Sequence, residues 1–279
     1  MALALGTLVP AMVALAAAAE PAKPAIGLQV YSLRDALKAD VPGTLDKIKN
    51  LGIVELELAG VGGLMNPESK ALLDARGFKA ISGHWPFERL DKEPEKVAVE
   101  AKAFGCSYVA CAWVPHDGAI FTEADARKAI AVFNKAGEVL KKNGLHFCYH
   151  AHGYEFQPHK DGTLFDLMMA EMKPGVADFE MDIFWVVHPG QDPVALMKKY
   201  PTRFKLMHLK DKRKGAPRNL AGHAPNEESV VLGTGMVDWP AVLSEARRIG
   251  VAHYFIEDEA PTVEAQLPKT IAFLKTAGF

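Results

Sequence analysis

Two histidines two residues apart, His150 and His152, and a glutamate three further on, Glu155, close the apolar run in FCYHAHGYEF (147–156). The same pattern recurs downstream. Glu180 and Asp182 lie in FEMDIFWV (179–186), His208, Lys210 and Asp211 in HLKD (208–211), and Glu257, Asp258 and Glu259 in YFIEDE (254–259). Upstream, Glu57 and His84 sit at the ends of two further runs. Alternate residues of a strand share a face, which pairs His150 with His152, Glu180 with Asp182 and His208 with Lys210. Imidazole and carboxylate delivered together suit a borderline divalent cation, whereas all-oxygen ligation favours Mg2+ or Ca2+. Mn2+ and Zn2+ come first, with Co2+, Fe2+ and Mg2+ after them. The expected ligands are Glu155, Asp182, His208 and Glu257. His150 competes with Glu155, because it lies on the strand itself. Taken singly, each has an ordinary reading: a buried His is usually a hydrogen-bonded core residue, and Asp211 or Asp258 could be a helix cap. Recurrence decides for a metal. Carboxylates gathered at one point repel and are costly to desolvate, and a cation offsets both.

Such residues need a scaffold that brings several strand ends to one place. Strand-like runs at 26–32, 53–59, 78–84, 107–114, 146–152, 176–186, 204–211 and 253–259 alternate with helix-like stretches. The helical punctuation is clear: Asn66 as an N-cap before Pro67, Gly77 as a stop, and Asp238 before Trp239-Pro240. Eight strands alternating with eight helices predict parallel βαβ units. Residues 25–279 match the ~250 typical of a closed (β/α)8 barrel. A doubly wound open sheet would show a Gly-rich turn after its first strand, and YSLRDALKAD (31–40) has none. The expectation is therefore one α/β domain. In such a barrel the strand C-termini share one mouth, which is where the polar residues fall. The stretch 212–237 is too long for a plain connection and predicts a functional loop after strand 7.

The chain has 279 residues, a formal charge of −2 and a pI near 6.6, which gives no electrostatic footprint for nucleic acid. Three scattered cysteines, Cys106, Cys111 and Cys148, make no disulfide framework, and the last two read as core. Residues 1–24 are apolar up to Ala19, then polar and Pro-rich. They read as a secretory signal with small residues before Glu20, which predicts an exported, periplasmic protein; a membrane anchor or an Ala-rich leader are the alternatives. No later run reaches the ~20 apolar residues of a membrane span.

YHAHGYEF (149–156), FEMDIFWV, HLKD, GTGMVDW (233–239) and YFIEDE, together with LQVYSLRD (28–35), resemble the successive strand-end motifs of the xylose-isomerase-like TIM-barrel superfamily, the sugar phosphate isomerase/epimerase group. The likeness spans essentially the whole chain after residue 24. It implies a divalent-metal enzyme acting next to a sugar carbonyl, with Asp182, His208 and Glu257 as ligands. Many members carry Glu where this chain has His150, and Asn where it has Ala151.

The implied chemistry is isomerisation or epimerisation through a metal-bound enediolate. A keto-sugar dehydratase or lyase acting on oxidised sugars or glycosides would use the same intermediate. Candidate bases are His150, His152 and Glu180, and Lys210 would stabilise a developing oxyanion. Glu57, His84, Trp113 and Trp185 are candidate substrate contacts, with Trp85 a further stacking surface. The glycines of LGTGMVDWP (232–240) could hold an anion, but export favours a neutral carbohydrate. Phosphodiester cleavage would need a basic surface. A non-catalytic carbohydrate-binding barrel, a paired-carboxylate hydrolase and an oligomer stay open.

Overall fold

The computed structural model describes residues 23–117 and 120–279. Each apolar run becomes one short strand: β1 (Ile26–Gln29), β2 (Glu55–Leu58), β3 (Lys79–Gly83), β4 (Tyr108–Cys111), β5 (His146–His150), β6 (Ala177–Asp182), β7 (Phe204–Leu209) and β8 (His253–Ile256). All neighbouring pairs are parallel, in the order β3-β2-β1-β8-β7-β6-β5-β4. The seam between β3 and β4 closes through Trp85 N to Ala110 O and Ser107 N to Ile81 O, both 2.9 Å, beside a bridge of His84 with Ala110. The result is a single (β/α)8 TIM barrel. The reading of residues 1–24 as a leader falls, for 1–22, outside the described residues. Among the described residues no helix is long and apolar enough to cross a membrane.

Local chemistry sets the element ends. Thr122 and Asp125 form a reciprocal capping box for helix Glu123–Lys142, and Thr163 and Asp166 do the same for Leu164–Glu171. Asp238 caps helix Trp239–Ile249 through the Ala241 amide at 3.2 Å. Two expectations are corrected. Asn66 does not cap a helix: Ser69 N bonds Asn66 O, so 66–69 is a turn and the helix is Ser69–Asp74. The run 176–186 is not one strand, because Asp182 Oδ1 accepts the Trp185 amide at 3.0 Å and starts helix Ile183–Val187.

The apolar core lies between strands and helices. Inside the barrel, Cys148, Leu206 and Phe255 form a small plug with Ile81 and Tyr108 packed on it. Gly27 makes room for it, since a Cβ there would stand 2.5 Å from Phe255 Cδ1. Toward the strand C-termini the interior turns polar: Gln29, Glu57, His150, Glu180 and His208 are all buried. The three cysteines are free and buried. Residues 211–212 pair with 229–230 as a short ribbon, which folds the loop after β7 back over the barrel mouth.

Candidate active site

Asp182 and His208 are direct partners across β6 and β7, and His150 pairs with Glu180 across β5 and β6. That register brings His150, Asp182, His208 and Glu257 together, with ligand-type atoms within 4.8 Å of one another. His208 Nδ1 is 3.3 Å from Glu257 Oε2 and 3.7 Å from Asp182 Oδ2, and His150 Nε2 is 3.9 Å from Asp182 Oδ2. Asp182 Oδ2 is buried without a hydrogen-bond partner. An orphaned carboxylate oxygen facing two imidazoles fits a cation, and two nitrogens with two oxygens fit Zn2+ or Mn2+.

Glu155 does not join this group. Gly153 takes a left-handed φ of 90°, and a Cβ there would lie 2.8 Å from Trp185 O. The turn swings Glu155 back under the strand, where its carboxylate accepts the Tyr149 hydroxyl and, at 3.0 Å, the His152 amide. Burial raises its pKa and these bonds lower it, leaving it at about 7. The strand-5 position in the cluster belongs to His150.

A cavity of about 450 Å3 opens above the cluster. His84, Trp113, His150, His152, Trp185, Lys210 and Glu257 line it. Glu57 and Glu180 do not: they lie deeper, almost wholly buried, so the expectation of Glu57 as a substrate contact and Glu180 as a base is corrected. Alternation gives the face of a strand but not the depth, and Glu180 is one layer below Asp182. Trp85 also falls outside, its indole N–H bonded to Glu100 at 3.1 Å.

The electrostatics sort the lining groups. Burial would lower the His84 pKa, but Glu57 and Glu180 raise it to about 10, so it is a cation. Burial and His150 push His152 well below the ordinary value, leaving a neutral imidazole whose Nδ1 has no partner. Burial also opposes the charge on Lys210, but Glu257 and Glu259 more than restore it, and its pKa is raised. Lys210 is 2% exposed and bonds both carboxylates.

Sequence reasoning missed Tyr31, His223, Asn226 and Glu259 as lining residues. Glu259 stood in view beside Glu257, and the loop at 212–237 pointed to His223 and Asn226 only as a segment. The glycines of LGTGMVDWP are committed elsewhere: the amides of Gly233 and Gly235, both at 3.0 Å, and Val237 at 3.3 Å donate to the Asp211 carboxylate, as does the Trp239 indole. Asp258 likewise serves a turn, through the Ala260 amide.

Residues 66–277 match the family described as xylose isomerase-like TIM barrel. A 95-residue segment is 32% identical to an inosose dehydratase of Bacillus anthracis, covering 34% of this chain and only 31% of that enzyme. The crystal structure of a sugar phosphate isomerase/epimerase from Parabacteroides distasonis superposes with a TM-score of 0.76 at 27% identity, over 96% of this chain and 99% of the other. The IOLI protein with a binding zinc atom superposes at 0.70 over 90% and 95%, but at 14% identity, which shows the fold alone.

Proposed function

Because the chain belongs to the xylose isomerase-like TIM barrel family, we propose that it is a divalent-metal-dependent sugar isomerase or epimerase that removes the proton next to a carbonyl. His150, Asp182, His208 and Glu257 would hold the cation, which supplies Lewis-acid polarisation of the carbonyl when bound. One observation carries the reading. His152, a neutral imidazole with Nδ1 unpartnered, lines the cavity directly beside the four-residue cluster.

His152 acts as the base in this reading. Its ring is fixed edge-on to Trp113 at 5.8 Å and beside Trp185 at 5.1 Å, so Nδ1 keeps one direction. Lys210 keeps its positive charge beside the cluster and would stabilise the negative charge that the carbonyl oxygen gains. Trp113 and Trp185 form the apolar wall that excludes water. The substrate is a neutral carbohydrate: no arginine lines the cavity among the described residues, and its one lysine is engaged by Glu257 and Glu259.

A second reading, elimination of water or an alcohol after the same proton removal, with the proton held by His152 returned to the departing oxygen, is favoured by the local match to inosose dehydratase. The test is incubation of Mn2+-loaded protein with a panel of keto- and aldo-sugars in D2O. Deuterium entering a carbon beside the carbonyl supports both. Loss of water or an aglycone selects the second. Sugar binding with no exchange would make it a carbohydrate-binding barrel instead.

A further inference from the structure

Each histidine of the cluster turns its two ring nitrogens to different partners. His208 presents Nδ1 to Asp182 and Glu257, while its Nε2 meets Glu57 Oε2 at 2.5 Å. His150 presents Nε2 to Asp182, while its Nδ1 meets Glu180 Oε2 at 3.1 Å. Glu57 and Glu180 are sealed below the cavity, out of reach of a substrate. They share two partners: His84 Nε2 stands 3.1 Å from Glu57 Oε2 and 3.2 Å from Glu180 Oε2, and His208 Nε2, besides meeting Glu57, lies 3.3 Å from Glu180 Oε1.

We propose that Glu57 and Glu180 are positioning residues for the metal centre. Glu57 holds His208 as the tautomer protonated on Nε2, Glu180 holds His150 as the tautomer protonated on Nδ1, and His84 clamps the two carboxylates in place. The inference rests on the ligand assignment made above. A neutral imidazole has one N–H and one lone pair, so the acceptor at one nitrogen decides which nitrogen is left for a cation. A carboxylate in that role also fixes the ring plane and raises the basicity of the free nitrogen. Two carboxylates inside a barrel repel and are costly to desolvate, and the His84 imidazole standing between them offsets that cost. Gln29 Nε2 adds a donor to Glu57 Oε2 at 2.9 Å.

A second cation among His84, His150, Glu180 and His208 is the competing use of the same atoms. Glu57 Oε2 and Glu180 Oε2 already face imidazole donors, which favours the hydrogen-bonded reading. Their Oε1 atoms make no hydrogen bond, although Glu180 Oε1 lies 3.3 Å from His208 Nε2, so the stoichiometry must be counted.

The test uses the full chain loaded with Zn2+. Long-range proton–nitrogen correlation spectra should show His208 metallated at Nδ1 with a proton on Nε2, and His150 the reverse. Glu57→Gln and Glu180→Gln should each keep one Zn2+ per chain but bind it about 10–100-fold more weakly in chelator competition. Asp182→Asn is the control and should lose the ion. If Asp182→Asn binds normally, the ligand set is wrong. If it loses Zn2+ while both glutamine variants bind like wild type, the positioning role is wrong and the ligand set stands. Reversed tautomers would overturn the proposal, and so would two Zn2+ per chain with one released by His84→Ala. Should the glutamine variants fail to fold, the wild-type spectrum and stoichiometry decide.

Discussion

Asp182 accepts the Trp185 amide on Oδ1 at 3.0 Å and leaves Oδ2 free to face His150 and His208. One side chain thus ends strand β6, starts the next helix, aims a tryptophan at the cavity and offers a ligand atom.

These roles separate by substitution. Asp182→Asn keeps a capping oxygen and should unfold, metal-free, close to wild type, yet retain no Mn2+ after dialysis. Asp182→Ala should lose the metal and, in addition, about 1 kcal/mol of apo stability for the missing cap. Urea unfolding of the metal-free proteins, with metal content measured in parallel, checks both. Equal stability of the two variants would remove the cap from the account.

His152→Gln should retain the cation at wild-type affinity and lower the rate of deuterium exchange into substrate by about 10^2- to 10^4-fold. Unchanged exchange would shift the base to another residue. Loss of the metal would mean that His152 is a ligand.

Glu155 makes stability depend on pH. Its folded pKa, about 7, lies above the ordinary 4.5, so the folded state holds the proton more tightly than the unfolded chain. Its stabilising contribution is full below pH 4.5 and is lost as pH rises through about 7. At about 1.4 kcal/mol per pH unit this amounts to roughly 3 kcal/mol. Glu155→Gln keeps an acceptor for the Tyr149 hydroxyl but cannot ionise. Measured from pH 4 to 8.5, wild-type stability should fall relative to the variant by that order. Parallel curves would show that Glu155 does not titrate in this window.

The loop after β7 is fastened by Lys212 and Glu228, which pair with both side chains buried. Lys212→Met leaves Glu228 as a buried, uncompensated charge and should cost about 3–5 kcal/mol. Replacing both, as Lys212→Met with Glu228→Gln, should recover most of it. Hydrogen exchange should show faster opening of 212–230 in the single variant. No difference between single and double variants would mean that the pair is not coupled.

The barrel was legible because strand runs and helix caps alternate without a break, and because polar residues collect at one end of the runs. Asp182, His208 and Glu257 could be placed together from that fact alone. Glu155 could not be placed correctly, because what moves it is the turn at Gly153 and a tyrosine hydroxyl six residues upstream. Glu57 and Glu180 were misplaced for a different reason: a period of two gives the face of a strand and says nothing of height along the barrel axis. His150 was visible as a rival for the strand-5 ligand, but geometry was needed to choose it. The deep hydrogen bonds that Glu57 and Glu180 accept from His84, His150 and His208 join residues far apart in the chain, and no local pattern announces them.

Anomalous diffraction at the zinc absorption edge, from crystals grown with Zn2+, tests the central claim most directly. One strong peak should appear, bounded by His150 Nε2, Asp182 Oδ2, His208 Nδ1 and Glu257 Oε2. A peak seated instead between His84, Glu57 and Glu180, or none at the barrel mouth at saturating Zn2+, would contradict it.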